Sequence, residues 1–161
     1  MKIIKRKELT SAQKQEILEL WNKEYPQELQ YKKLSDLENY LTGLEDQRHM
    51  LLLDENDKVQ GWYADFKREN ERWFLVILDS EVQGRKFGAR FMEMAKASHE
   101  ELNGWVVSSE GYFKLNGEKY DPPLKFYKKL GFQILENVRL ENQPISAIKI
   151  KWTKWINSKS T

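Results

Sequence analysis

The sequence predicts a mixed α/β (α+β) fold in which helices flank a central sheet, with the element order β-α-α-β-β-β-α-β-α-β-β. Residues 73–78 form a continuous apolar run, as in a strand buried on both faces. A helical pattern of apolar residues follows this run, and two similar patterns occur near the start of the chain. Strand-like runs outnumber the helices and have helices between them, which favours an α/β or α+β arrangement.

The first part of the chain predicts one strand and two helices. Residues 2–9 alternate partly between polar and apolar side chains and indicate the first strand. Residues 10–13 and 35–38 both have the form of a capping box, so a helix is expected to begin at each of them. The first of these helices should end at Pro26, and the second near Gly43.

A hairpin and a buried strand are predicted next. The runs at 50–53 and 59–66 flank a polar, turn-rich segment, and residues 67–71 form the turn into the buried strand at 73–78. The helix that follows Gly88 should expose its charged residues and bury an apolar set, namely Phe87, Phe91, Met94, Ala95 and Leu102.

The last third of the chain adds three strands and one helix. Residues 105–108, 133–140 and 145–152 read as strands, the last two joined through residues 141–144. The helix at 122–130 has well-defined ends: Asp121 can cap it, Pro122 and Pro123 pre-set φ at its start, and Gly131 can adopt the left-handed conformation after it.

The composition fits a single domain over residues 1–161. The net charge of +2 provides no strong field for nucleic acid or acidic lipid, and no apolar run approaches the roughly 20 residues needed to span a bilayer. No leader pattern opens the chain, so a cytoplasmic protein without a membrane partner is expected. The absence of cysteine excludes disulfides and Cys-based zinc sites. His49 and His99 lack ligand spacing and His99 should be solvated, so no metal is expected.

The segment after the buried strand is suited to binding phosphate. It contains two glycines and leads into a helix N-terminus, where free N–H groups and the helix dipole attract anions. The spacing does not fit a P-loop, because no Gly-Lys-Ser/Thr follows four residues after a first glycine. It does not fit the dinucleotide fingerprint either, because the G-x-G-x-x-G pattern is absent.

Two motifs resemble those of the GCN5-related N-acetyltransferases, the GNAT family. Gln83-Gly84-Arg85-Lys86-Phe87-Gly88-Ala89 resembles the family signature Gln/Arg-x-x-Gly-x-Gly/Ala, and Leu124-Lys125-Phe126-Tyr127-Lys128-Lys129-Leu130-Gly131-Phe132 resembles the late helix Phe-Tyr-x-x-x-Gly-Phe. The motifs occur in the family's order and separation, and the element order matches the family over nearly the whole chain. On this resemblance the chain is identified as a member of the family.

The resemblance implies an enzyme that transfers an acetyl group from acetyl-CoA to a primary amine of a small molecule or peptide, on a mixed, mostly antiparallel sheet. The family's pantetheine-pairing strand positions match Val76, Ile77 and Leu78. The residues that match its pyrophosphate loop are Gln83, Gly84, Arg85, Lys86, Phe87, Gly88 and Ala89. Tyr127 matches the family's acid toward the coenzyme A sulfur, and a phenol is a proton donor at neutral pH.

Two departures from the family pattern stand out. Lys86 replaces the usual first glycine, so we expect either a loop in helical φ/ψ or weaker cofactor binding. The Lys86 ammonium could offset part of the lost affinity if it lies beside the pyrophosphate. The alternative is that the Lys86 side chain simply points into solvent. Residues 109–120 are the second departure: relatives run almost directly into an asparagine-containing helix start, and that asparagine has no clear match. Asn116-Gly117 predicts a tight hairpin turn, and the hairpin should overhang the acceptor site or be an ordinary surface hairpin.

The sequence leaves the general base unassigned. Arg72 stands where some relatives have a glutamate, and the adjacent Glu71 should face the other side of the strand. Asp65 and Glu110 are alternatives, each interpreted as a solvated surface carboxylate, and a water chain is another possibility.

The acceptor and the oligomeric state, monomer or homodimer, also stay open. The aromatic residues expected near the family's acceptor side are Trp21, Tyr25, Tyr31, Trp62 and Tyr63. The alternative function is a non-catalytic acyl-CoA-binding or protein-interaction module on the same fold, although the retained Tyr127 argues against it. Nucleic-acid binding through residues 149–155 is disfavoured, because their alternation is typical of an edge strand and the net charge is near zero.

Overall fold

The element order predicted from the sequence is confirmed. The structure, a computed structural model, describes residues 1–140 and 144–154. Its strands are β1 (Lys2–Arg6), β2 (Glu45–Leu53), β3 (Val59–Arg68), β4 (Glu71–Leu78), β5 (Glu101–Val107), β6 (Gln133–Leu140) and β7 (Ala147–Thr153). Its helices are α1 (Ser11–Glu24), α2 (Leu34–Thr42), α3 (Phe87–Ser98) and α4 (Leu124–Lys129), and two short 3₁₀ turns cover Gln27–Leu29 and Ser80–Val82.

The strands form one seven-stranded sheet in the order β1-β2-β3-β4-β5-β7-β6. Every neighbouring pair is antiparallel except β4 and β5, which are parallel. This is the mostly antiparallel, helix-flanked sheet that the family resemblance implied. A parallel pair requires a crossover connection, and α3 provides it.

The sheet divides the apolar core into two clusters. The first cluster joins α1 and α2 to one face of the sheet and includes Ile17, Leu37 and Trp62. The second joins α3 and α4 to the opposite face and includes Phe91 and Tyr127. Because both faces of the central strands are covered, β4 reads as a continuous apolar run rather than an alternating one.

The structure confirms one of the two predicted capping boxes and contradicts the other. The Thr10 capping box is confirmed: the Gln13 N–H donates to Thr10 Oγ1 at 3.1 Å, and the Thr10 N–H donates to Gln13 Oε1 at 2.9 Å. The prediction of a cap at residue 35 is wrong, because the Lys33 N–H donates to Asp36 Oδ2 at 3.3 Å and α2 begins one residue before Ser35.

The ends of α4 give one correction and one confirmation. Asp121 does not cap the helix; Pro123 occupies the N-cap position, where no side chain accepts a hydrogen bond from the first turn. Gly131 has the predicted left-handed φ of 86°. The Phe132 N–H donates to the Tyr127 carbonyl and the Gly131 N–H to that of Lys128, both at 3.1 Å, which completes a Schellman motif.

The boundary between α3 and β5 differs from the prediction. α3 ends at Ser98 and β5 begins at Glu101, so Leu102 lies in the strand and not in the helix. Pairing with β7 explains the longer strand, since Leu102 is the register partner of Trp152. The connection predicted at 141–144 lies outside the described residues except for Pro144, as does Trp155 of the 149–155 run.

His49 is a neutral core residue. Its Nδ1 accepts a hydrogen bond from Trp62 Nε1 at 3.0 Å, so its Nε2 carries the proton and donates to Gln47 Oε1 at 2.8 Å. Burial lowers the pKa of His49 to about 4, which keeps the ring uncharged at neutral pH. Within residues 1–140 and 144–154, no group of three or more His, Cys, Asp and Glu side chains is arranged to hold a metal ion. No helix in these ranges is long and apolar enough to cross a membrane.

Candidate active site

The parallel strands β4 and β5 separate along their length. Trp73 and Asn103 are their one register pair, whereas β4 pairs with β3 at every residue from Glu71 to Leu78. Beyond Trp73, the backbone N–H and C=O groups of β4 that point away from β3 therefore face a gap in the sheet. The ring of Phe74 lies against Gly104 on β5, where an added Cβ would come within 3.0 Å of it.

A cavity of about 240 Å³ occupies this gap. Phe74, Leu75 and Val76 of β4 line it, and so do residues 104–107 of β5. Consecutive strand residues point to opposite faces of a sheet. A cavity lined by consecutive residues of both strands must therefore lie between them, within reach of both faces of the sheet.

The walls of the cavity are mainly aromatic. Trp21, Tyr25 and Tyr40 line it from the face of α1 and α2, and Tyr120 and Tyr127 line it from the opposite side. Of the five aromatic residues predicted near the acceptor side, Trp21 and Tyr25 line the cavity. Tyr31, Trp62 and Tyr63 do not, and they pack within the two core clusters.

Tyr127 lies on α4 with its side chain against the cavity. It is 6% exposed, and its ring contacts those of Phe74, Phe126 and Phe132 at centroid distances of 5.7, 5.0 and 5.4 Å. No described residue forms a hydrogen bond with its hydroxyl. Burial, with a smaller effect from Tyr120, raises the pKa of Tyr127 well above its ordinary value near 10, so the phenol stays protonated at neutral pH.

Residues 109–120 form the predicted hairpin, with its turn at Asn116-Gly117. The Lys114 N–H donates to the Glu118 carbonyl at 2.8 Å, and Gly117 has a φ of 87°. Phe113 accepts a hydrogen bond from the Gln27 N–H at 2.9 Å, which joins the hairpin to the segment after α1. Because its last residue, Tyr120, lines the cavity, the hairpin forms part of the cavity wall.

Glu24 connects this hairpin to the loop after β4. Its carboxylate is 4% exposed, accepts a hydrogen bond from the Ser80 N–H at 2.8 Å, and pairs with Lys114 Nζ at 3.0 Å. The sequence interpretation missed this residue. The sequence did contain an indication. A negative charge at the C-terminal end of a helix interacts unfavourably with the helix dipole, so a glutamate at the last position of α1 suggests that it has a partner outside the helix.

The loop before α3 presents a row of free backbone donors. The N–H groups of residues 84–89 donate to no acceptor in the described parts of the chain, and the first bonded one is that of Arg90, to the Lys86 carbonyl at 3.1 Å. Gly84 and Lys86 have φ values of 76° and 68°, which makes the loop a concave nest of N–H groups. The side chains of Arg85, Lys86 and Arg90 are exposed around it.

The conformation of Lys86 decides between the two alternatives predicted for this loop only in part. Lys86 is in the left-handed region, with φ 68° and ψ 10°, so the prediction of helical φ/ψ is wrong. The loop thus keeps the glycine-like conformation with a lysine in place. Lys86 is the N-cap of α3, a position that is usually extended, so its left-handed φ belongs to the loop and is not required by the helix. Weaker cofactor binding stays a prediction.

Gly88 has a packing role. A Cβ at this position would lie 3.1 Å from Phe126 Cζ and 3.2 Å from Leu78 Cδ1, so side chains of the protein occupy the space. The start of α3 can therefore approach α4 closely. The two sequence motifs are in direct contact through Gly88 and Phe126.

The carboxylates considered as general bases lie elsewhere. Glu71 pairs with Lys149 and Lys151, each at 3.0 Å, and these ion pairs lower the pKa of Glu71 against the opposing effect of burial. Glu110 is 78% exposed at its side chain and lies 3.5 Å from Lys119. Neither lines the cavity.

Asp65 and Arg72 belong to a separate polar cluster. Asp65 is 3% exposed and lies 3.1 Å from Arg72 Nη1, 2.9 Å from His99 Nε2 and 2.6 Å from the Tyr63 hydroxyl. The expectations of a solvated Asp65 and a solvated His99 are therefore wrong, because they are each other's buried partners. Sequence alone could not show this, since β3 and the end of α3 are brought together only by the crossover.

Comparison with known proteins identifies the family. The profile of the acetyltransferase (GNAT) domain matches residues 8–154. The chain belongs to the GNAT acetyltransferase family. It is accordingly an acyltransferase of the acetyl-CoA-dependent class, as the sequence resemblance implied.

Solved structures agree with this GNAT assignment in fold. The aminoglycoside 6'-acetyltransferase type Ii is 15% identical with a TM-score of 0.65, and the match covers 95% of this chain and 97% of that one. The spermidine/spermine N-acetyltransferase SpeG from Vibrio cholerae, in a complex with manganese ions, is 16% identical with a TM-score of 0.60, covering 97% and 96%. No curated protein sequence matches the chain.

The GNAT cosubstrate fits this loop. Six consecutive free N–H groups and three exposed cations suit a pyrophosphate, and the gap beside β4 offers unpaired backbone groups to an extended amide-bearing arm. Val76 also lines the cavity, whereas the side chains of Ile77 and Leu78 pack against the core clusters. Only the backbones of these last two residues remain candidates for contact with the pantetheine arm.

Lys86→Gly is expected to raise the free energy of unfolding of the ligand-free protein by about 1 kcal/mol. Glycine adopts a positive φ without the steric cost that a Cβ imposes, although it has more backbone entropy to lose. Denaturant unfolding measures the change. Lys86→Ala is the matched control, since it keeps the Cβ and should show no gain; equal behaviour of the two variants would contradict a strained Lys86.

Proposed function

We propose that this GNAT protein transfers the acetyl group of acetyl-CoA to a primary amine of a small molecule or peptide. The gap between β4 and β5 carries the proposal. It places unpaired β4 backbone, a cavity lined by residues of both strands, and the Tyr127 side chain in one continuous space. Such a passage would let a thioester and an amine approach each other from opposite faces of the sheet.

The loop and strand residues would hold the cosubstrate, which supplies the activated acetyl group. The N–H groups of residues 84–89 would donate to the pyrophosphate, assisted by the N-terminal dipole of α3. The backbone of Val76, Ile77 and Leu78 would pair with the pantetheine amides, because that edge of β4 has no partner strand. Arg85 and Lys86 would add positive charge beside the phosphates.

Tyr127 would donate its hydroxyl hydrogen to the coenzyme A sulfur as the sulfur leaves. The hydroxyl has no protein partner in the described residues, and its raised pKa keeps it protonated. The same raised pKa makes it a weaker acid than an exposed tyrosine. A strong hydrogen bond to the developing thiolate is therefore the larger part of its expected contribution.

The acceptor would lose its proton to water. No carboxylate among the described residues lines the cavity, so no side chain there can act as a strong base. The reactive form of the amine is then the free base that enters from solution. The turnover rate should rise with pH up to the pKa of the amine itself.

Two measurements test the proposal. At acetyl-CoA a hundred times above its dissociation constant, the free energy of unfolding should rise by about 2.7 kcal/mol, and a thermal shift reports this rise. A thiol-release assay over several classes of amine then tests turnover.

No thermal shift and no calorimetric heat at millimolar acetyl-CoA would refute the proposal. Binding without thiol release from any amine would favour the non-catalytic module instead. The cytoplasmic location and the oligomeric state stay predictions.

A further inference from the structure

Arg68 is the one charged residue among the described residues that line the cavity. It ends β3 on the face covered by α1 and α2, and it is half-buried. Its guanidinium lies 4.9 Å from the centroid of the Phe66 ring and 5.7 Å from that of Trp73. The aromatic wall of the cavity thus contains a single positive charge.

This cation has no carboxylate partner within residues 1–140 and 144–154. Other half-buried cations do: Arg72 pairs with Asp65, Lys114 with Glu24, and Lys149 with Glu71, at 3.0 to 3.1 Å. A partly desolvated charge without a counter-ion is unfavourable unless a ligand supplies one. The hydroxyl of the neighbouring Tyr40 forms a hydrogen bond with Arg68, but burial raises the pKa of Tyr40 to about 12, so the phenol is uncharged and does not neutralise Arg68.

A second group beside Arg68 lacks a partner. Trp73 lines the cavity, and its indole Nε1, with less than 1 Å² of accessible surface, has no hydrogen-bond acceptor among the described residues. Buried N–H groups in folded proteins are almost always bonded, so this donor calls for an explanation. A ligand carboxylate has two oxygens and can accept from the guanidinium and, once a small rotation of the indole ring exposes its N–H, from Trp73 as well.

The phosphates of the cosubstrate do not explain Arg68. It lies at the hairpin between β3 and β4, opposite Glu71, whereas the phosphate loop follows Leu78. β4 has eight residues, and at about 3.3 Å per residue its two ends lie roughly 23 Å apart. Arg68 and the phosphate loop are therefore at opposite ends of β4, and Arg68 is on the side left for the acceptor.

We propose that the acceptor is an amine that bears a carboxylate and an aromatic or apolar body, as an aromatic α-amino acid does. The carboxylate binds Arg68 and the Trp73 N–H, and the body packs on the aromatic walls. This inference rests on the proposed function. The N–C bond forms as the C–S bond breaks, and the proton lost by the amine nitrogen balances the proton gained by the thiolate. Polyamines are expected to be poor acceptors, because the described residues that line the cavity include the cation Arg68 and no carboxylate.

The first experiment compares substrates that differ only in the carboxylate. Phenylalanine, phenylalanine amide, phenethylamine and spermidine are assayed by thiol release with acetyl-CoA. The kcat/KM for phenylalanine should exceed that for its amide and for phenethylamine by about 10- to 100-fold, the usual worth of a charge-assisted hydrogen bond. The amide's amine is less basic and so more often unprotonated, which biases the comparison against the expected result.

Variants locate the effect at Arg68. In Arg68→Gln, the ratio of kcat/KM for phenylalanine to that for phenethylamine should fall about 10- to 100-fold, and Arg68→Lys should restore part of it. Lys67→Gln is the matched control: it removes a cation from the adjacent, exposed position on the other face of β3 and should leave the ratio unchanged. Thermal unfolding of each variant verifies the fold.

The outcomes separate the two proposals. A preference for spermidine or phenethylamine over phenylalanine overturns the inference and leaves the proposed function standing. An equal loss toward all amines in Arg68→Gln, with a lower melting temperature, makes Arg68 structural and also overturns it. If no amine releases thiol from acetyl-CoA, the proposed function itself fails and the inference fails with it.

Discussion

Tyr127→Phe is expected to lower kcat by about 10²- to 10⁴-fold, the usual range for loss of a positioned proton donor. The substitution removes one hydroxyl and retains the ring. The contacts with Phe74, Phe126 and Phe132 should therefore persist. Affinity for acetyl-CoA should stay within a few-fold, since the lost interaction forms mainly in the transition state. Steady-state kinetics on a verified acceptor and calorimetry with acetyl-CoA measure the two quantities.

The pH dependence adds a check on the same residue. Because burial raises the pKa of Tyr127, its phenol should remain protonated up to at least pH 10, and the wild-type rate should show no alkaline loss below that pH. Tyr31→Phe is the matched control, because Tyr31 is a half-buried tyrosine that does not line the cavity. Near wild-type turnover in Tyr127→Phe would show that the residue serves packing alone.

Glu24→Ala is expected to lower the free energy of unfolding by about 3 to 5 kcal/mol, the usual effect of breaking a buried ion pair. The truncation leaves Lys114, 13% exposed, without its carboxylate partner, and it leaves the Ser80 N–H without its acceptor. For a domain of this size, the melting temperature should fall by about 10 °C. The Michaelis constant for the amine should rise as well, because the hairpin at 109–120 loses its tie to α1.

Two variants on the same helix control this experiment. Glu24→Gln keeps an acceptor for Ser80 but removes the charge, so its effect should be intermediate. Glu19→Ala removes an exposed carboxylate from α1 whose one side-chain contact is Gln15 at 3.5 Å, and stability should change by less than about 0.5 kcal/mol. Equal losses in Glu19→Ala and Glu24→Ala would show that Glu24 is an ordinary helix residue.

The order of elements could be predicted from the sequence because local signals agree with tertiary ones along most of the chain. The apolar run of β4, the Thr10 capping box and the left-handed Gly131 each act through neighbouring residues. The extent of β5 could not be predicted, since β7 determines it through pairing with residues distant in sequence. Strand lengths are decided by partners, which a local pattern does not contain.

The candidate site likewise has one part that could be predicted from the sequence and one part that could not. The phosphate loop and Tyr127 could be located because each is a compact motif. The links among Glu24, Ser80 and Lys114, and the cluster of Asp65, Arg72 and His99, join residues from three separate segments. A periodic sequence pattern does not show which distant residues come into contact in the fold. The conformation of Lys86 could not be predicted either, because side-chain preference argues against the positive φ that the loop before α3 adopts.

The separation of β4 from β5 has a further consequence for how the molecule avoids self-association. It creates two extra strand edges in the middle of the sheet, and an unpaired edge is a template on which another chain can add a strand. Here the edges are enclosed by α1 on one face and by α4 on the other. The 109–120 hairpin, which is bonded to Glu24 of α1 and to Gln27, adds Tyr120 to the wall. We therefore expect these two inner edges to be inaccessible to a β-strand of a neighbouring protein, and the hairpin contributes to that protection.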